Sequence, residues 1–534
     1  MKKIFVKAFL LLSVLSLLVS CKLEKAPEAQ AEQAAWNSIT DANLLRQGLY
    51  AMLRSNESPG NLMMADLQSA LFNIEADDNN AYSAYYNWYE LSLSTDSNIE
   101  SYYAGFYNLI MQTCYFEMRA NEAINNKAQL IADGKFVEDD FATIQHYIAE
   151  AKVMRALAYY RLMCRFSYRY EDGSRLALPL LTTYELNTQR EQSTQKQVYD
   201  YALQILDEAI AVLPATYEGA TIDNIPSEIP QAYAYALKAR IQLEMHNYQG
   251  VIESINSFIS DYPLDDISGL ADDEKKAAVE AIYVTEDSKE IMCKLYSSTK
   301  IGRSSSPYTG GITQAGEVYF IPSFIPSQYV LDVYNMDGGT PFEDVRASVY
   351  LQTQTQAYWG VKVQMMHKFI GNPELNTTNL PDFAVSTHLF NVAEAYLMLA
   401  EAQAFSNNIS GTLDALNQLR RARGLATDIT AAEIATPKDA QELVKRERIR
   451  ELIGEGTNMN DLKRWGDPMD RKNHGQPQII DENNPLALGE VLKMGHADQI
   501  IPYNPDDALG KMFAWEFPKN DLVTNKNLKP NWKR

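Results

Sequence analysis

The segment 230–263, PQAYAYALKARIQLEMHNYQGVIESINSFISDYP, most constrains what this chain can build. Tyr233, Leu237, Ile241 and Met245 recur every four residues and share one helical face. Ala232, Ala236, Ala239 and Leu243 make a second face of mostly small residues. A helix apolar on two sides must be packed between neighbours, as in a solenoid of stacked helix pairs. The 34-residue span also fits a tetratricopeptide repeat. Ala239 falls on the small packing position, Tyr248 on the aromatic opening the second helix, and Pro263 on the closing proline. His246 and Val251 stand where that repeat usually has small residues. The stretches 40–54, 101–125, 141–166, 195–213, 386–405 and 410–423 carry weaker versions of the helical pattern.

Two regions break it. Residues 55–100 are rich in Asn, Ser and Tyr and read as a loop. Residues 264–385 carry Gly, Pro, Ser and short β-like runs, Glu317–Ile321 and Gly360–Gln364 among them. The second region reads as a long irregular insertion, and insertions in solenoids gather on one face and often build binding sites.

The N-terminus reads as an export segment. Lys2, Lys3 and Lys7 precede a mainly apolar run from Ala8 to Val19, too short to span a bilayer. Leu18-Val19-Ser20-Cys21 matches the bacterial lipobox, which makes Cys21 the expected site of lipid attachment, with palmitate among its acyl chains. The charged, Ala/Gln-rich stretch 22–35 reads as a flexible tether. The parts expected are therefore a signal peptide at 1–20, a lipidated tether at 21–35 and an N-terminal helical half at 36–263. The insertion follows at 264–385, and a C-terminal helical part at 386–534.

A formal net charge of −21 argues against nucleic acid or an anionic lipid face as partner. Beyond Cys21 only Cys114, Cys164 and Cys293 remain, enough for one bridge at most; Cys114 and Cys164 sit at apolar helical positions and read as buried thiols. GxxxxGK[ST], GxGxxG and HExxH are missing, and the six histidines show no ligand spacing. Asn335–Gly338 lacks the acidic residues of a calcium loop, and Ser297-Ser-Thr-Lys300 lacks the partners of a penicillin-recognising nucleophile. The expectation is a binding protein, not an enzyme, with no cofactor or metal. Thr436-Pro437 with Asp439 predicts a helix start, and Gly454 and Gly456 suit its end. Inside it the pairs Glu442/Arg446 and Glu447/Arg450 are spaced to lie on one face, so the helix reads as tied to its neighbours by charge.

Several stretches together resemble the SusD/RagB family of nutrient-binding outer-membrane lipoproteins. They are the lipobox followed by Thr40–Tyr50, Ser101–Asn108 with Asn121, Ala149–Tyr159, Asn391–Ala402 and Leu416–Gly424. The most specific is Arg446–Gly456 continuing to Asp461–Gly466, with Ile501–Asn504 and Asn527–Trp532 closing the chain. Thr457 departs from the pattern, which usually has Arg straight after the glycine. The resemblance implies a mainly α, tetratricopeptide-like scaffold with a large irregular subdomain and no catalysis. It also implies a surface lipoprotein of the outer membrane that captures a nutrient, usually an oligosaccharide and in some relatives a peptide, for a SusC-like TonB-dependent transporter. A secreted glycan-cleaving enzyme is the remaining alternative.

Tyrosine, with 32 residues, suits surfaces that must be apolar and hydrogen-bonding at once. Tyr82, Tyr85, Tyr86, Trp88 and Tyr89 form the first candidate ligand cluster, with Asn79, Asn80 and Asn87 beside them. The spacing of Tyr85, Trp88 and Tyr89 equally suits a buried helical stripe. Tyr308, Tyr319 and Trp359 in the insertion are further candidates, and Arg303 suits an acidic sugar such as sialic acid or a peptide carboxylate.

Overall fold

The computed structural model describes residues 36–532 apart from 76–81, 187–188, 216–227, 298–303, 306–307, 309–310, 315–316, 321, 323, 336–343, 356, 358–359, 361, 378–382, 479–491 and 494–499. Cys21, Arg303, Trp359, Asn79 and Asn80 lie outside the described residues.

Helices dominate: α1 (Ile39–Asn56), α2 (Pro59–Gln68), α3 (Ser83–Asn87), α4 (Ser97–Asn125), α5 (Asp140–Phe166), α6 (Gln195–Ile210), α7 (Gln231–Glu244) and α8 (Tyr248–Asn256). After the insertion come α9 (Val392–Phe405), α10 (Ile409–Arg421), α11 (Pro437–Leu452) and α12 (Asn458–Trp465). Their starts follow from local chemistry. Asp96 accepts from the N–H groups of Asn98 and Ile99 to cap α4, and Thr194 accepts from Gln197 to cap α6. Thr436 accepts from the Asp439 N–H, with Pro437 opening α11, as its sequence predicts.

Each helix packs on the next in the series α4, α5, α6, α7, α8, while α1 leans on α4 and α5. The stack then jumps the insertion, since α8 packs directly on α9, and α9 on α10 and α11. The pattern of 230–263 explains this continuity. Ala232, Ala236 and Ala239 are buried, so neighbouring backbones approach closely on both sides of α7. His246, where the repeat prefers a small residue, sits at φ 56° between α7 and α8, and its ring nitrogen meets the Arg464 carbonyl oxygen at 3.1 Å.

Two sequence expectations need correction. The stretch 55–100 is not one loop, because it holds α2, a strand, α3 and a short helix at Glu90–Leu93. The helix expected over 386–405 starts only at Val392, since Thr387–Asn391 forms a strand paired antiparallel with Ile291–Leu295.

The strands are short: β1 (Phe72–Glu75), β2 (Ile291–Leu295), β3 (Gly311–Gln314), β4 (Glu317–Phe320), β5 (Phe324–Pro326), β6 (Leu351–Thr355), β7 (Lys362–Met366), β8 (Thr387–Asn391) and β9 (Leu492–Lys493). β3–β4 and β6–β7 are antiparallel pairs, where the sequence shows β-like runs. Cys114, Cys164 and Cys293 are free and buried. Among the described residues no helix is long and apolar enough to cross a membrane, and no cluster has the makings of a metal site.

Helix α11 carries the densest buried charge. Glu447 meets Arg450 at 2.8 Å as its spacing predicts, whereas Glu442 meets Lys445 at 3.2 Å. The buried Arg346 reaches Glu447 at 2.7 Å and Glu451 at 3.1 Å, and Arg423 joins Glu451 to Glu290. Residues of the insertion are thus locked to the scaffold by ion pairs out of water.

Candidate functional site

The first candidate surface is organised by a three-stranded antiparallel sheet. β1 lies in its centre, with β5 on one side and β9 on the other. Phe72, Asn73 and Ile74 face Pro326, Ile325 and Phe324, while Ile74 also faces Lys493. Three strands far apart in sequence, β1, β5 and β9, therefore meet in one sheet, and the β3–β4 hairpin forms a separate pair. Tyr82 is half-buried, with its ring edge-on to Phe324 at 6.4 Å. Tyr319, on β4, is exposed and donates to Glu317 at 3.0 Å. An exposed phenol such as Tyr319 offers an apolar face and a polar edge, the combination that packs against the C–H face of a sugar.

Three of the predicted residues do other work. Tyr85 and Tyr86 are fully buried and Trp88 nearly so. The Tyr85 hydroxyl donates to Asp96 at 2.6 Å, and burial beside that carboxylate holds its pKa well above the usual phenol range. Tyr86 lies under the Arg471 guanidinium, 4.0 Å from ring centre to carbon, and its carbonyl accepts from the same group. Burial depresses Arg471 to about 10. The Trp88 indole N–H donates to the Gln68 carbonyl at 2.8 Å, and the ring meets Phe513 edge-on. Of the cluster, only Tyr82 and Tyr89 thus present surface. The reason is local. Helix α3 ends at Asn87, and Trp88 at φ 51° turns the chain so that Trp88 points inward and Tyr89 outward.

A second concavity, of about 90 Å³, lies behind β1 where insertion and scaffold meet. One wall is a run of rings. Phe72 stacks on Tyr308 at 4.9 Å, Tyr308 on Phe369 at 6.3 Å, Tyr283 meets Phe369 edge-on at 6.0 Å, and His388 stacks on Tyr283 at 5.9 Å. Tyr308, predicted as a surface ligand contact, is buried in this wall. The charged groups around the space are already engaged: Arg161 with Glu57 at 2.6 Å, Arg240 with Glu394 at 2.5 Å, and Glu455 with Lys368 at 2.6 Å. Glu286 accepts from the Ser386 N–H at 2.6 Å. His388 and Asn391 also line the space; a side-chain hydrogen bond joins them, and Asn391 donates to the Tyr283 hydroxyl at 3.4 Å. The sequence offers no signal for either residue, since both belong to a strand hidden inside an apparently helical stretch.

Comparison with known proteins follows the same order along the chain. The family described as "Starch-binding associating with outer membrane" matches residues 23–243. The SusD family matches residues 352–532. No curated protein matches. Among solved structures, a SusD superfamily protein from Bacteroides thetaiotaomicron superposes with a TM-score of 0.70 at 19% identity, over 93% of this chain and 100% of that one. A SusD-like carbohydrate binding protein from Bacteroides vulgatus superposes with a TM-score of 0.68 at 17% identity, over 93% and 98%. A SusD superfamily protein from Bacteroides fragilis reaches 0.65 at 20% identity, over 93% and 100%. At these identities the agreement concerns the fold.

Proposed function

The chain belongs to the SusD/RagB family, and from that premise we propose that it is a non-catalytic, surface-exposed lipoprotein that captures an oligosaccharide for a partner TonB-dependent transporter. The observations that carry the reading are Tyr82, half-buried and edge-on to Phe324 of the three-stranded sheet, and Tyr319, exposed on the β3–β4 hairpin. The resemblance to a carbohydrate-binding protein of like fold supports the ligand class. The matched family's description, association with the outer membrane, is in keeping with anchoring there through the lipobox Cys21. Arg303 and Trp359, outside the described residues, remain candidate ligand contacts, as does the exposed Tyr89.

The test is calorimetry of the mature protein against neutral oligosaccharides, acidic sugars and peptides. A glycan should bind, and Tyr82→Ala combined with Tyr319→Ala should weaken it about tenfold, as expected for losing two aromatic packing contacts of roughly 0.5–1.5 kcal/mol each. Binding of peptides alone, or release of cleaved product from a bound glycan, would overturn the reading. Replacing Cys21 by Ala should free the protein from membranes, and a variant still membrane-bound after a salt wash refutes the anchor.

A further inference from the structure

We propose that the groove between α4 and the short helix Lys519–Thr524 is a second binding site, selective for a small organic ammonium ion. It shares no residue with the sheet surface described above. Its walls come from three parts of the chain. Tyr103 and Tyr107 stand one turn apart on α4, Pro179, Leu181 and Arg190 belong to the segment before α6, and Asp521 sits on the short helix. Asn525 and Asn527 donate to the carbonyls of Arg190 and Gln189, each at 2.8 Å, so the C-terminal stretch is fastened to that segment. The groove measures about 480 Å³, within the roughly 300–1,000 Å³ of clefts that hold small ligands.

Charge comes next. Of the charged side chains that line the groove, Glu185 and Arg190 pair at 2.6 Å, which leaves Asp521. Asp521 is half-buried and meets no cation among the described residues. Burial, and then the Glu100 carboxylate, raise its pKa above the usual aspartate value, as expected of a charge without compensation. Glu100 carries the same sign and itself accepts from Asn520 at 2.6 Å. The lining is thus left with one uncompensated negative charge, on a chain whose net charge of −21 already draws cations towards it.

The surroundings of Asp521 decide which cation. A bare divalent ion asks for roughly six oxygen ligands, and the groove offers it a single free carboxylate. Beside that carboxylate stand rings and aliphatic groups. The Tyr103 and Tyr107 rings lie 4.7 Å apart, centre to centre, and Pro179 and Leu181 add apolar surface. Burial, and after it the Asp521 charge, raise the Tyr103 phenol, which puts the carboxylate near that ring. A carboxylate beside tyrosines matches an ammonium group on a carbon body: the charge meets Asp521 and the C–H groups pack on the rings. Amino sugars and aliphatic diamines both carry that pattern.

The experiment is calorimetry of the whole mature protein near neutral pH, with glucosamine and putrescine as probes and glucose and butanediol as their uncharged counterparts. An amine should bind at least tenfold more tightly than its counterpart. Glucosamine as the tighter probe assigns the site to an amino sugar, and putrescine to a diamine. Two variants locate the binding. Asp521→Asn removes the charge at nearly equal volume and should weaken amine binding at least tenfold. Thr524→Lys, at an exposed position three residues further along the same helix, supplies an internal ammonium group within reach of Asp521 and should displace the guest. This second, surface substitution keeps the test decisive if the first variant fails to fold. Both should leave capture of a neutral oligosaccharide unchanged, so this site and the sheet surface fail separately. Binding of neither amine by wild type, equal affinity for amine and uncharged counterpart, or full amine affinity in either folded variant overturns the proposal.

Discussion

Arg346→Met removes the cation at the centre of the buried network that joins the insertion to α11. The guanidinium is fully buried and donates to Asp344 at 2.6 Å, and it pairs with Glu447 at 2.7 Å and Glu451 at 3.1 Å. Glu447 keeps Arg450, and Glu451 keeps Arg423. Asp344 faces the largest loss. Breaking a buried pair by removing one partner costs roughly 3–5 kcal/mol, because the remaining charge stays out of water. Unfolding entropy of about 2.1 cal/mol/K per residue gives roughly 1 kcal/mol/K for a chain of about 500 residues, so the Tm should fall by only about 3–5 °C if the molecule melts as one unit. Urea titration at fixed pH is the better assay, since it reads the free energy directly.

The same variant carries a pH signature. Burial alone would raise Glu447, but Arg346, Arg450 and Arg420 hold it well below the usual carboxylate range. Glu451, buried too, is held at about 2 by Arg423, Arg346 and Lys368. Carboxylates depressed in the fold contribute stability that is present above their unfolded pKa, near 4.5, and is lost as pH falls through the folded value. The difference between wild type and Arg346→Met should therefore be full at pH 7 and shrink below about pH 4.5. Adding Asp344→Asn should restore part of the lost stability at neutral pH. A single variant within about 1 kcal/mol of wild type, or a gap that widens in acid, would refute the reasoning.

Trp88→Ala should cost roughly 3–5 kcal/mol in urea titration, as a buried aromatic truncation does, without the selective loss of glycan affinity expected for Tyr82→Ala with Tyr319→Ala. Gly456→Ala should fail to accumulate as folded protein, read by soluble yield and circular dichroism, because φ is 75° there and an added Cβ would lie 2.1 Å from the Leu62 carbonyl oxygen. Asp66 is fully buried, and burial lifts its pKa from 3.8 to about 6 despite N–H donors from Gly456 and Asn458. A raised carboxylate contributes stability that is full below its unfolded value and lost as pH rises through the folded one. Urea titrations of wild type and Asp66→Asn should therefore diverge by on the order of 3 kcal/mol between pH 4 and pH 6.5, in the variant's favour as pH rises; parallel curves would contradict it.

The solenoid is legible because its signal is local. Tyr233, Leu237, Ile241 and Met245 repeat at the helical period, and Thr436-Pro437 marks a helix start with its own side chains. What misleads is pairing at a distance. Thr387–Asn391 runs without a break into the apolar helix that follows, and only Ile291–Leu295, about a hundred residues earlier, makes it a strand. Spacing places Glu447 beside Arg450, but no spacing brings Arg346 or Arg423 to the same carboxylates. The aromatic cluster divides for a related reason. A continued helix would keep Tyr85, Trp88 and Tyr89 on one face, whereas the left-handed turn at Trp88 sends Trp88 and Tyr89 to opposite sides. That turn has no glycine to announce it.

A cavity is less legible still, because it is the volume that segments distant in sequence leave unfilled. Tyr308 and Phe369 come from the insertion, His388 and Asn391 from the strand returning to the scaffold, and Thr457 from the turn before α12. One of these positions does stand out in the sequence, since Thr457 replaces the arginine that the family pattern usually carries. Read alone, that departure suggests one ion pair fewer at a helix end. Placed in the fold, it means a short side chain at the wall of a space ringed by charges that are already paired. A substitution that looks like a loss at the level of the helix is, at the level of the packing, the condition for an opening.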